Sequence, residues 1–254
     1  MSFTVPTEYD GREQAFVRHE LLRHYLEKLI MIIGTSARRV GQVEICYVDY
    51  FSGPWGADGE GLEGTSISLS LGILSHRRAA LAKLCVVATV RALYIEKSRR
   101  AFKRLEAFLA TYTPEGIATR ALNGDFLELQ QEILHRCGSG TFTFFFVDPK
   151  GWKEIAPEKI AQLVRRPRSE FLINFAFNNI NRTVSMAAWR DEMRQLLGAS
   201  VAVDDLEPAG RETALANAYR RALAGCITPK DLRTGRERCT SQFSIRCGSE
   251  PSIT

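Results

Sequence analysis

The chain has 254 residues, with 34 Lys and Arg against 29 Asp and Glu for a formal net charge of +5, and 45% of it is hydrophobic. With 25% charged and 9% aromatic residues it is composed like a globular protein, which excludes collagen-like and disordered classes. The longest apolar stretches, at 84–90 and 141–147, fall far short of the ~20 residues that a membrane-spanning helix needs.

Residues 1–10 lack the basic start and apolar run of a signal peptide, and the six cysteines show no CxxC spacing. The expectation is a reduced, cytoplasmic protein without a disulfide scaffold or a metal site.

Residues 13–33 place Phe16, Leu21, Leu22, Tyr25, Leu26, Leu29, Ile30 and Ile33 at near-helical spacing, which predicts an N-terminal helix stopped by Gly34. A strand is expected at 43–48, closed by Asp49 and a glycine-rich loop, and a helix follows over 66–83. A second strand at 92–95 ends in Glu96, with a helix over 98–109 behind it. The third strand, 117–122, runs into Asn123-Gly124-Asp125 and a helix over 126–136. The fourth, at 142–147, ends at Asp148-Pro149; a helix at 157–165 and a fifth strand at 170–175 follow. Nearly continuous apolar strands separated by helices mark a parallel sheet covered on both faces. The predicted class is therefore α/β, a doubly wound, mostly parallel, Rossmann-like sheet behind an N-terminal helix. One domain is expected over 1–226. Residues 227–254 read as a polar, poorly ordered tail that leaves Leu172 and Phe175 on an exposed edge strand, or else as a tail that folds a poor substitute strand through Gln242-Phe243-Ser244-Ile245.

In such sheets ligands bind beyond the carboxyl ends of the strands. Here Asp49, Glu96, Asp125 and Asp148 stand at or just after strand ends. Each acid alone reads as a turn or helix-capping residue; together they outline a site. Glu96 is placed to accept both hydroxyls of a ribose, and Asp125 to accept from an adenine amino group. The loop after Asp49, with Phe51, Gly53 and Gly56, lets backbone approach a ligand closely. It carries no Lys or Arg and no GxxxxGK[ST] pattern, which disfavours a triphosphate. A nucleoside bearing an amino acid fits the acidic set better, and the expected cofactor is S-adenosylmethionine.

Asp49-Tyr50-Phe51-Ser52-Gly53, residues 61–66, Tyr94-Ile95-Glu96-Lys97, Phe146-Val147-Asp148-Pro149-Lys150-Gly151, Leu172-Ile173-Asn174-Phe175 and Asn181-Arg182 stand in an order that resembles the bacterial three-Cys-motif partner proteins. That family is methyltransferase-like and named for a neighbouring gene product with a three-cysteine motif. The resemblance covers about 13–220. It implies S-adenosylmethionine held by Asp49, Phe51, Gly53, Gly56, Glu96 and Asp125, and a three-Cys-motif protein as partner. The run from Asp148 to Trp152 also resembles the DPPY-type motif of enzymes that methylate base amines. That implies catalytic roles for Asp148 and Pro149 and substrate contacts for Lys150 and Trp152, with Asn174 and Arg182 further candidates. Two departures stand out. Trp55 occupies the last glycine position of the family's loop, with Gly56 one place later, and the usual final hairpin has no clear counterpart.

Between Arg77 and Arg104 nine basic residues face only Glu96, a local charge of 9 − 1 = +8. The segment reads either as the footprint of a nucleic-acid backbone or as a solvated helix face. Gly59–Gly64 matches GxGxxG literally, but ten positions beyond the end of its strand and with two glutamates inside. A second class stays open beside the enzyme: a non-catalytic, methyltransferase-like partner of a three-Cys-motif protein or of nucleic acid.

Overall fold

The computed structural model describes residues 13–53, 64–149, 151–227 and 242–247, and the chain divides into two compact units. Unit 1 holds 1–125 with 140–142, and unit 2 holds 126–139 with 143–254.

Unit 1 contains α1 (Glu13–Ser36), β1 (Gln42–Asp49), α2 (Ser66–Lys83), β2 (Val87–Glu96), α3 (Arg99–Tyr112) and β3 (Ile117–Asn123). Its strands run in the order β3-β2-β1, all parallel, with Asp49 opposite Tyr94 and Glu96 opposite Asn123. Parallel neighbours need a crossover, and α2 and α3 supply the two here. Each crossover helix starts on a hydroxyl cap: Thr65 Oγ1 accepts from the Ser68 N–H at 3.5 Å, and Ser98 Oγ from the Ala101 N–H at 3.4 Å. Gly34 does not stop α1, which runs on to Ser36; the left-handed turn is at Gly41, φ +75°. Gly34 instead lets α1 lie against α2, since a Cβ there would sit 2.3 Å from Leu81 Cδ2.

Unit 2 contains α4 (Gln130–Cys137), β4 (Phe142–Val147, all but Phe142), α5 (Pro157–Val164), β5 (Ser169–Phe175), α6 (Phe177–Thr183), α7 (Arg190–Leu197), α8 (Pro208–Gly225) and β6 (Gln242–Cys247). Its strands run β4-β5-β6, again parallel. Tyr219 of α8 stacks on Phe175 with centroids 5.1 Å apart, and its hydroxyl donates to the Ile155 carbonyl at 2.7 Å. The architecture is α/β with parallel strands and flanking helices, a Rossmann-like arrangement.

The carboxyl-terminal expectation needs correcting. Residues 242–247 form a strand within the segment whose composition argues for poor order, and it enters parallel to β5 rather than as part of a hairpin. Leu172 and Phe175 are consequently buried, at 1% and 0% exposure. Backbone pairing along six residues supplies what the polar side chains do not advertise. No helix among the described residues is long and apolar enough to cross a membrane.

Candidate functional site

The carboxyl ends of β1, β2 and β3 carry the acids of unit 1. Asp49 is 1% exposed and heavily engaged. Its Oδ1 accepts the Phe51 N–H at 3.2 Å, and its Oδ2 accepts the Ser66 hydroxyl at 3.2 Å and the Tyr47 hydroxyl at 3.4 Å. Phe51 begins the loop and Ser66 opens α2, so one carboxylate ties the two ends of the excursion together. The chain between them first follows β2: the Ser52 N–H donates to the Ile95 carbonyl at 3.1 Å, and the Gly53 N–H to the Phe51 carbonyl at 2.8 Å. Gly56 and Trp55 lie outside the described residues, as does the GxGxxG run except Gly64. The Gly64 N–H donates to Ser68 Oγ at 3.1 Å, an occupation that leaves it a local cap.

Behind Asp49 lies a buried hydroxyl cluster that sequence patterning misses. Tyr47 and Tyr94 are both fully buried, with ring centroids 5.9 Å apart, and Ser70 Oγ meets the Tyr94 hydroxyl at 2.8 Å. Burial, and then the charge of Asp49, pushes the Tyr47 phenol well up; burial does the same to Tyr94. The available signal was two tyrosines in otherwise aliphatic strands, whose hydroxyls require partners.

Glu96 is 7% exposed and sits at the last position of β2. Its Oε1 accepts the Ser98 N–H at 2.5 Å, and its carbonyl accepts from Asn123 Nδ2 at 2.8 Å and the Gly124 N–H at 3.2 Å. Asp125 follows β3 and pairs with Lys97 at 2.8 Å, where the lysine side chain is 77% exposed and the aspartate 22%. Glu96, Lys97 and Asp125 thus form one acidic rim with a mobile-length cation beside it.

In unit 2, Asp148 and Pro149 follow β4, and Asn174 is the penultimate residue of β5. Asn174 Nδ2 donates to Asp148 Oδ1 at 2.6 Å, a contact between two candidates that the sequence puts forward separately. Trp152 is buried and meets Trp189 edge to face, centroids 5.8 Å apart. Arg182 is exposed on α6. Trp152 and Arg182 line one cavity, whereas Asp148 and Asn174 do not line it. Lys150 lies outside the described residues.

The basic segment divides across elements. Arg77 pairs with Glu27 at 2.7 Å, Arg91 with Glu44 at 2.9 Å, and Lys97 with Asp125. Arg78 packs over Gly116, a φ +78° position whose added Cβ would fall 2.4 Å from the guanidinium carbon. What stays together is one helix. On α3, Arg99, Arg100, Lys103 and Arg104 form two stripes beside the buried Ala101, Leu105 and Leu109. No group of three or more His, Cys, Asp or Glu among the described residues could hold a metal ion.

No family model, curated protein or solved structure matches the chain. Function is therefore argued from these residues.

Proposed function

We propose that the chain is an S-adenosylmethionine-dependent methyltransferase of the three-Cys-motif partner type, acting in the cytoplasm. The observation that carries this is Glu96: a nearly buried carboxylate at the tip of a parallel β-strand, beside the loop that leaves the preceding strand. A carboxylate offers about four acceptor positions. The Ser98 N–H is one of its donors, and a carboxylate at this position has the chemistry to accept a pair of vicinal hydroxyls. The donor set fits the cofactor in charge as well, since the rim is acidic and a sulfonium with an α-ammonium is cationic. When bound, that cofactor supplies an electrophilic methyl group.

Glu96 would hold the ribose and Asp125 the adenine amino group, with part of the Lys97 contact given up for it. Asp49 acts differently from the motif expectation: it fixes the loop that carries Phe51 and Gly53 rather than meeting the ligand itself. Gly56 completes that loop in the proposal. In unit 2, Asn174 Nδ2 donates to Asp148 Oδ1, which orients that carboxylate as the group that would accept a proton from the methyl acceptor. Pro149 rigidifies the turn that presents Asp148. Positioning of this kind supplies most of the effect that methyl transfer requires.

Calorimetric titration with S-adenosylhomocysteine tests the proposal. Saturable binding is expected, and none at millimolar ligand would overturn it. A non-catalytic partner protein is favoured instead by one observation, that Asp49 already accepts three hydrogen bonds from its own chain. That alternative expects the biological role to survive Glu96→Ala and to be lost on charge reversal of α3.

A further inference from the structure

A cavity of about 380 Å³ in unit 2 is lined by Trp152, Lys153, Glu154, Asn179, Arg182 and Thr183, with Gly151 at its edge. It lies toward the small end of the ~300–1,000 Å³ of small-molecule sites, which suits one nucleotide rather than a dinucleotide. The short 3₁₀ turn Lys153–Ile155 forms one side, and Asn179, Arg182 and Thr183, three and four residues apart on α6, form the other.

The aromatic and cationic groups of this cavity are held in place before any ligand arrives. Trp152 is 8% exposed and braced by Trp189. Lys153 Nζ sits 4.3 Å from the Trp189 centroid and 5.7 Å from that of Trp152, so the ammonium rests against the indole pair. The turn beneath it is pinned by Lys159 Nζ, which donates to the Lys153 carbonyl at 2.8 Å. Arg182, Asn179 and Glu154 make no side-chain hydrogen bond or ion pair among the described residues, so their polar atoms are spare.

We infer that this cavity binds one nucleoside monophosphate unit, with its base against Trp152 and its phosphate between Arg182 and Lys153. Two cations against one carboxylate select an anion, and the guanidinium fork matches phosphate geometry. Trp152 lines the cavity with the small part of its indole that stays exposed, an apolar edge against which a base of any kind can rest. Asn179 presents both donors and an acceptor to a base edge. Glu154 only accepts, so it favours bases with an exocyclic amine, adenine and cytosine, over uracil, whose carbonyl oxygens it repels. The inference does not rest on the methyltransferase proposal: Asp148 does not line this cavity, and binding there needs no cofactor.

The test uses the full chain without added cofactor and follows tryptophan fluorescence, since Trp152 and Trp189 flank the cavity. AMP, CMP, UMP, inorganic phosphate and short adenine or cytosine single strands are titrated in turn. Saturable quenching by AMP and CMP, stronger than by UMP or phosphate, is expected. Arg182→Glu and Lys153→Glu, both at exposed positions, should each weaken it roughly tenfold or more, with Arg182→Lys recovering part. Tighter binding of the single strand would identify a strand as the source of the nucleotide, and equal binding a free nucleotide. No saturable response to any nucleotide or strand at millimolar unit concentration overturns the inference, as does wild-type binding by both reversals or a phosphate response equal to that of AMP. S-adenosylhomocysteine binding should be unchanged in Arg182→Glu, so failure here and failure of the cofactor site are read separately.

Discussion

Glu96 performs two tasks in this account, and one pair of substitutions separates them. It accepts the Ser98 N–H at the entry to α3, and in the proposed complex it accepts the ribose hydroxyls. Glu96→Gln keeps an acceptor oxygen for the Ser98 N–H but removes the charge. Glu96→Gln exchanges a charge-assisted bond from the Ser98 N–H for a neutral one while relieving the desolvation of a nearly buried charge, so urea unfolding should place the variant within ~1 kcal/mol of wild type. Ligand binding should respond differently. Hydrogen bonds to charged groups are worth ~1.5–3 kcal/mol against ~1 for neutral ones, so two weakened bonds lower S-adenosylhomocysteine affinity by about 10–100-fold. Glu96→Ala should show the same binding loss together with ~0.5–2 kcal/mol of lost stability, since the first turn of α3 then lacks its acceptor. Calorimetry and unfolding on the same preparations decide the matter. Glu96→Gln binding like wild type would refute the assignment of Glu96 to the ribose.

Three further perturbations test other parts of the structure. Gly34→Ala gains ~0.5–1 kcal/mol of helix propensity but pushes a methyl onto buried Leu81, so denaturant unfolding should show a net loss of ~1–2 kcal/mol, relieved when Leu81→Ala is added; a net gain would mean that α1 and α2 do not meet there. Tyr47, Tyr94 and Tyr219 are buried with phenol pKa values raised above 10, so their stabilisation is complete below the unfolded value and lost as pH rises beyond it. The unfolded chain alone then releases protons, and stability should fall by about 4 kcal/mol per pH unit once those phenols ionise, as seen in unfolding curves between pH 9 and about 11; a flat profile would contradict their burial. Reversing the charges of Arg99, Arg100, Lys103 and Arg104 should abolish single-strand binding and its salt dependence if α3 contacts phosphate, with the wild-type slope near −0.7 per contact by filter binding; an unchanged slope would make α3 an ordinary solvated face.

The legible parts of the fold were those where one local signal sufficed. The Phe142–Val147 run is apolar at every position but Thr143 and buried at every position, so its strand has the bounds that its pattern suggests. The helix Ser66–Lys83 likewise starts where Thr65 caps it. The opening half of β2 was not legible, because Val87 and Thr89 face outward and Arg91 is held by Glu44 and Thr141, contacts 47 and 50 residues away in the chain. Helix α8 begins with Pro208-Ala209-Gly210, a weak helix-forming run, and gains its stability from Leu215, Tyr219 and Leu223 packed on one face. The strand at 242–247 depends on pairing with β5, which no local pattern reveals.

The site shows the same division more sharply. That acids gather at strand ends was readable, because strands end where apolar runs end. What each acid does was not, because its role depends on how much of its acceptor capacity the chain itself consumes. Asp49 spends its oxygens on Phe51, Ser66 and Tyr47, the second of them 17 residues away, and becomes a clasp for the loop. Asp148 gives one oxygen to Asn174, 26 residues on, and keeps the geometry of a positioned base. Asp125 balances Lys97, whose exposed side chain can swing aside. Glu96, nearly as buried as Asp49, accepts the Ser98 N–H through Oε1, and in the proposed complex hydrogen bonds from a ligand would offset the desolvation of this carboxylate. On the proposed reading binding energy concentrates at the tip of β2, and four carboxylates that look alike in the sequence differ in what their own chain asks of each.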